Sequence, residues 1–315
     1  MKLVILDGYC LNHGDLSWEP LTSQGEATVY DRTPYELIVP RMGDASIMIT
    51  NKCRIDRSVI DALPALRYIG VLATGYDNID VAYCKERGIA VSNIPAYSTE
   101  SVVQAFFGLL IELYTGIGMH ADTVREGEWS RASDYCYYKK QTHELFGKTL
   151  GIIGFGRIGR RIGEVAAAFG MEVLAYARHR RFEEKDFRYA TLDELYAESD
   201  IISLNCPLTK ENAGMINADS IAKMKPSAVI VNTARGGLIN EAALADALNS
   251  GRIRGAALDV LAKEPAREDN PLLTARNVVI TPHIAWATVE ARSRLMRIAA
   301  DNLAAYLEGR ELNRI

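Results

Sequence analysis

Short β-rich runs alternate with helical patterns along the whole 315-residue chain, the signature of parallel sheets covered by helices. The fold class is therefore α/β. In the first third the strand candidates are Leu3–Leu6, Ile47–Thr50, Tyr68–Val71 and Ile89–Val91, separated by helical stretches near Tyr35–Arg41, Arg57–Ala62 and Val81–Arg87. Each unit is short, as in a small doubly wound sheet. A long helical pattern from Ser98 to Glu126 reads as a domain joint, and a polar, aromatic segment with Trp129, Tyr135, Tyr137 and Tyr138 follows it. Further strand candidates lie at Leu150–Ile153, Val173–Tyr176, Ile201–Leu204, Val229–Val231, Ala256–Leu258 and Val278–Ile280, enough for a complete six-stranded nucleotide domain. The last helical run, Val289 to Leu307, has no strand after it and is expected to return to the first domain. The expected architecture is two doubly wound parallel-sheet domains: a Rossmann dinucleotide-binding domain, 96–288, inserted in a smaller flavodoxin-like substrate domain, 1–95 and 289–315.

Composition narrows the function classes. With 48% apolar residues the chain can bury a full core, and its length suits two domains. A net charge of -4 leaves no electrostatic footprint for a polyanion, so nucleic acid is not an expected partner. The cysteines (Cys10, Cys53, Cys84, Cys136, Cys206) are odd in number, widely spaced and free of any CxxC pair, so neither a disulfide framework nor a metal site is expected. A reducing, cytoplasmic compartment fits. The apolar start, Met1 to Asp7, is too short for a signal peptide. The stretch Val102–Tyr114 is broken by Gln104 and Glu112 and falls short of the ~20 residues a membrane span needs.

The sharpest motif is Gly154-Phe155-Gly156-Arg157-Ile158-Gly159, directly after the run Leu150–Ile153 and at the opening of a helix with apolar residues at Ile158, Ile162, Val165, Ala166 and Phe169. Gly170 closes that helix, and a second strand completes the βαβ unit. In this setting Gly154 permits the tight turn, Gly156 lets the backbone approach a pyrophosphate, and Gly159 allows close helix–strand packing. An acidic residue at the end of the second strand would accept from the ribose of NAD. Here that place is Ala177, followed by Arg178, His179, Arg180 and Arg181, a positive cluster suited to a 2′-phosphate. NADP is therefore expected over NAD; the alternative is a solvated basic loop.

Ligands of open α/β sheets sit outside the carboxyl ends of the strands. Those ends carry Asn205-Cys206-Pro207, then Asn232-Thr233-Ala234-Arg235-Gly236-Gly237, then Asp259, then Thr281-Pro282-His283. Hydride transfer to a 2-oxo acid needs a cation for the carboxylate and carbonyl oxygen, a proton donor for the forming alkoxide, and a group that tunes the donor. Arg235, His283 and Glu264 supply these types: a planar fork of donors, an imidazole that titrates near neutrality, and a carboxylate expected to raise its pKa. Singly, each also has a structural reading as a loop charge, a hydrogen-bonded core histidine or a surface ion pair. Together, downstream of a nucleotide loop, they point to chemistry.

These motifs, with Leu258-Asp259-Val260, Glu264-Pro265 and Thr281-Pro282-His283-Ile284, resemble the successive signatures of the D-isomer-specific 2-hydroxyacid dehydrogenase family over most of the chain. Ala73-Thr74-Gly75-Tyr76-Asp77-Asn78-Ile79-Asp80 is similar to that family's substrate-carboxylate loop, and Pro282 to Thr288 resembles its glycerate dehydrogenase (hydroxypyruvate reductase) branch. The resemblance implies catalytic Arg235, Glu264 and His283, with Thr74, Gly75, Arg235 and His283 on the substrate. It implies a cofactor site formed by Thr99, Gly154, Phe155, Gly156, Arg157, Ile158, Ala177, Arg178, His179, Cys206, Pro207, Thr233, Ala234, Asp259 and His283. It further implies a homodimer built through the nucleotide domains, an active-site cleft that closes between the two domains, and reduction of hydroxypyruvate or glyoxylate to D-glycerate or glycolate. The family's usual Asp after the second strand is absent here, in agreement with the reading of Ala177 and Arg178.

Three rivals share the scaffold. Formate oxidation needs no proton transfer, and that branch typically has Gln where this chain has Glu264. Phosphite oxidation uses a similar Arg, Glu and His set and stays open on sequence. A corepressor-like dinucleotide sensor would carry added docking segments, and no low-complexity tract occurs here. Substrate side-chain specificity is left to the surroundings of Tyr76, Trp286 and Tyr135–Tyr138, aromatics that also suit core or interface packing.

Overall fold

Parallel strands organise both units into which the chain divides, Met1–Ser98 with Ala287–Ile315, and Thr99–Trp286. The sequence reading set these divisions at 95/96 and 288/289. The structure is a computed structural model that describes residues 1–178 and 187–315. His179, Arg180 and Arg181 of the expected phosphate cluster lie outside the described residues.

The first unit holds β1 (Lys2–Ile5), β2 (Glu26–Val29), β3 (Ile47–Thr50), β4 (Tyr68–Val71) and β5 (Ala90–Ser92), all parallel in the order β2-β1-β3-β4-β5. That is the flavodoxin-like winding. The edge strand β2 was not foreseen, because its residues Glu26-Ala27-Thr28-Val29 are half-buried or exposed and form no apolar run. One face of the sheet packs Val4, Met48, Ile69 and Val91 against Ile38, Val59 and Ile60. Toward the other lies the helix Val289–Leu307, whose Tyr306 ring stacks on Tyr68 of β4 at 4.6 Å. This terminal helix is anchored by Arg292, which is 6% exposed and grips Asp15 through two nitrogens at 2.8 and 2.6 Å.

The second unit contains β6 (Thr149–Ile153), β7 (Glu172–Tyr176), β8 (Arg188–Tyr189), β9 (Ile201–Leu204), β10 (Val229–Asn232), β11 (Gly255–Leu258) and β12 (Val278–Ile280). They form a seven-stranded parallel sheet in the order β12-β11-β10-β9-β6-β7-β8. The chain winds outward from β6 in one direction through β8 and in the other from β9 through β12, which places the topological switch between β6 and β9. Six strands were expected; the added one is the two-residue β8 at the edge beyond β7. The single helix expected over Ser98–Glu126 is two, Thr99–Thr115 and Ile117–Arg125, bent by 62°. Gly116 makes the break: it sits at φ 61, a left-handed conformation that no regular helix continues through. No single helix among the described residues is long and apolar enough to cross a membrane.

Candidate active site

The glycine loop lies where the ends of β6, β7 and β9 converge. The Gly154 amide donates to Tyr176 O at 2.9 Å, and the Asn205 amide to Ile153 O at 2.7 Å. Gly154 has φ 97, and a Cβ on it would stand 2.6 Å from the backbone at Asn205 and Cys206. A Cβ on Gly159 would stand 2.3 Å from Gly154 O, so no side chain fits between this helix and its strand. At Gly156 a Cβ would meet nothing within 4 Å. The backbone there faces open space at the first turn of the helix Arg157–Ala168, whose unpaired amides and dipole favour an anion.

That space is a cavity of about 720 Å³ lined by Gly154, Phe155, Gly156, Arg157, Ala177, Arg178, Cys206 and Pro207, with Tyr176, Tyr189, Leu192 and Met215 as an apolar wall. Burial pushes the Cys206 thiol up, so it is a neutral part of the lining. Arg160 and Glu211 line the same cavity and were not singled out from sequence. The Glu211 carboxyl is held below the usual carboxylate range, first by the Thr209 hydroxyl and, as a smaller contribution, by the Arg178 charge. Ile158 packs its side chain into the apolar core with Phe106 and Ile162. Thr99 opens the helix Thr99–Thr115, and Thr233 and Ala234 are half-buried just past β10.

Next to it stand the carboxyl ends of β10, β11 and β12. His283 Nδ1 is 2.6 Å from Glu264 Oε2, while Glu264 Oε1 accepts from the Leu261 amide at 3.1 Å. Both side chains keep some solvent access, 28% and 36%. With Nδ1 committed to the carboxylate, Nε2 is the other ring nitrogen that can donate or accept a proton. His283 has φ 56, which non-glycine residues enter at a cost, and its amide is fixed on Asp259 O at 2.8 Å. Asp259 is 1% exposed, and its carboxylate accepts from Thr281 Oγ1 (2.6 Å) and from the amides of Ile284 and Ala285 (2.9 Å each). Burial raises the Asp259 carboxyl against these bonds. One buried acid thus holds the whole His283 turn.

Arg235 projects from the turn after β10, one of its nitrogens donating to Ala234 O at 2.8 Å. Buried Asn232 fixes that turn by donating to Arg235 O (2.9 Å) and accepting from the Ala234 amide (3.0 Å). Gly236 joins this turn to the next: a Cβ there would fall 1.9 Å from Leu261 C and 2.3 Å from Ala262 N. Only a glycine lets the Arg235 and Glu264 loops touch backbone to backbone. The sequence displayed Gly236 beside Arg235, but its role depends on a contact 25 positions along the chain that no local pattern signals.

In the first unit, the loop after β4 carries Thr74, exposed, and Gly75, half-buried. Neither amide donates to another described residue. Thr74 itself is held by its hydroxyl on Ile94 O at 2.6 Å and by Asn93 Nδ2 on its carbonyl at 2.8 Å.

A family profile described as the NAD binding domain of D-isomer specific 2-hydroxyacid dehydrogenases matches residues 107–285. The chain belongs to the D-2-hydroxyacid dehydrogenase family. Among curated members of that dehydrogenase family, a hydroxypyruvate reductase of Blautia hydrogenotrophica is 49% identical over 318 residues, covering 99% of each protein. A glycerate dehydrogenase of Methylorubrum extorquens is 40% identical over 283 residues, 89% of this chain and 88% of that one. Among solved dehydrogenase structures, the NADPH-dependent glyoxylate/hydroxypyruvate reductase of Sinorhizobium meliloti in complex with NADP and malonate superposes with a TM-score of 0.86 at 29% identity, covering 100% of this chain and 96% of that one.

Proposed function

We propose that this dehydrogenase reduces hydroxypyruvate or glyoxylate, with NADPH as the preferred reductant. The observation that carries the reading is the 2.6 Å His283–Glu264 pair on the strand end next to Arg235, beside a glycine loop shaped for a pyrophosphate. When bound, the reduced nicotinamide supplies a hydride to the carbonyl carbon of the 2-oxo acid. His283 Nε2 gives its proton to the carbonyl oxygen as the alkoxide forms, and Glu264 on Nδ1 holds the ring in the orientation that donation needs. Arg235 binds the carboxylate and stabilises the negative charge developing on the carbonyl oxygen. Thr74 and Gly75 offer their amides to the substrate carboxylate. In the oxidation direction the proton returns to His283.

The pyrophosphate is assigned to the amides at Gly156–Ile158, with Arg157 and Arg160 beside it. Thr99, Thr233, Ala234 and Asp259 are assigned to the cofactor site as well, Asp259 through the turn it holds. The NADPH preference is supported by Ala177 in place of an acid and by Arg178 on the cavity wall, and the Sinorhizobium relative is NADPH-dependent by name. A homodimer in a reducing, cytoplasmic setting completes the reading. It is supported by exposed apolar side chains along 117–146 and by cysteines of which none is paired.

The test is loss of reduced-nicotinamide absorbance with hydroxypyruvate, glyoxylate and pyruvate, each against NADPH and NADH at equal concentration. Turnover of hydroxypyruvate with NADPH favoured is expected. Preference for NADH would overturn the cofactor argument alone; no turnover with any pair would redirect the site toward phosphite or a sensing role.

A further inference from the structure

Three asparagines of the first unit close a ring beneath the Thr74–Gly75 loop. Asn302, in the helix Val289–Leu307, donates through Nδ2 to Asn93 O at 2.9 Å. Asn313 Nδ2 donates to Asn302 Oδ1 at 2.8 Å, and the Asn93 amide donates to Asn313 O at 3.2 Å. Asn302 is 2% exposed and Asn93 9%; Asn313 takes the left-handed conformation, φ 49, that asparagine tolerates better than most residues. From this ring one arm emerges, Asn93 Nδ2, and it holds the Thr74 carbonyl at 2.8 Å.

The consequence follows from peptide planarity. The Thr74 carbonyl and the Gly75 N–H belong to one rigid trans unit and point to opposite sides of it. Fixing the carbonyl on buried Asn93 therefore turns the Gly75 N–H away from the core. The Ile94 amide on Ala73 O (3.0 Å) and the Thr74 hydroxyl on Ile94 O (2.6 Å) remove the remaining freedom of the loop.

We propose that Asn93, Asn302 and Asn313 are positioning residues that aim the Gly75 amide at the substrate carboxylate, so that part of the affinity for the 2-oxo acid is set from the terminal helix. This rests on the reading of Thr74 and Gly75 as carboxylate donors. None of the three touches substrate. A hydrogen bond to a charged group, lost through misorientation, corresponds to roughly 10-fold or more in affinity.

The experiment compares Asn302→Leu, Asn93→Leu and Gly75→Pro in the full-length enzyme by steady-state kinetics and thermal melting. Asn93→Leu is close in size and removes the donor to Thr74 O without adding a charge; it serves if Asn302→Leu does not fold. The expected result is a roughly 10-fold or larger rise in KM for hydroxypyruvate with KM for NADPH unchanged and kcat within about twofold, in each asparagine variant and in Gly75→Pro. Wild-type KM in the asparagine variants, with Gly75→Pro impaired, leaves the carboxylate reading standing and overturns the positioning role. A lowered melting temperature without the KM split makes the ring purely structural and overturns it too. Wild-type KM in Gly75→Pro overturns the carboxylate reading, and this inference with it.

Discussion

At the scale of single residues, the decisive object is the imidazole of His283. Its Nδ1 is taken up by Glu264 at 2.6 Å, and the proposed mechanism gives proton exchange with substrate to Nε2. His283→Ala is expected to lower kcat by roughly 10²–10⁴-fold in both directions, the usual contribution of a placed general acid–base. Wild-type-like turnover by that variant would sink the assignment. Glu264→Gln keeps a hydrogen-bond acceptor for Nδ1 but removes the charge beside the ring, so a smaller loss of kcat than in His283→Ala is expected; steady-state kinetics of the two variants side by side check the order. These candidates were legible in sequence because the proposed chemistry needs particular side-chain types, and such types after apolar runs can be read directly. Gly236 and the Asn93–Asn302–Asn313 ring were out of reach. Each acts through a partner distant in sequence, and glycines and asparagines in turns have common local explanations that hide the long-range one.

At the scale of elements, apolar runs gave the buried strands, and what they missed follows from burial. β2 is a half-exposed edge and β8 a two-residue one, so neither carries the uniform apolar run that marks β9 or β10. The break at Gly116 was hidden because apolar periodicity continues on both sides of it. The terminal helix Val289–Leu307 was visible end to end, but its anchor was not: Asp15 lies far upstream of Arg292. The Arg292 guanidinium, hydrogen-bonded to Asp15, holds that carboxyl at about 2 against an ordinary 3.8. Because the folded value lies below the unfolded one, the stabilisation is fully present above pH 3.8 and is lost as pH falls through about 2. The gap in melting temperature between wild type and Asp15→Asn is therefore expected to be constant near neutrality and to close between those two values. A gap that persists undiminished at the acid end would mean that the pair does not anchor the helix through its charge. Solvent access to Asp15 makes the effect modest and sensitive to salt.

At the scale of the whole molecule, the second unit exposes a run of large apolar side chains. Ile117 (58% exposed), Trp129 (53%) and Phe146 (74%) lie within one 30-residue stretch that also exposes Met119, Val124 and Tyr138. Scattered apolar residues are normal on a surface; these cluster in and after the helix Ile117–Arg125, and the proposed homodimer gives them a partner. Under the proposed homodimer this stretch is the face that meets a second copy, and a two-fold interface is self-complementary. Sedimentation of the wild type at micromolar concentration is expected to give twice the chain mass. Ile117→Glu combined with Trp129→Glu places two charges where such an interface needs its desolvated centre, and the double variant is expected to sediment as a monomer with its strand and helix content unchanged by circular dichroism. A wild type that sediments as a monomer would remove the dimer from the reading, while leaving intact the proposed His283 chemistry, since the bonds that hold His283, Glu264 and Asp259 in place are made within one chain.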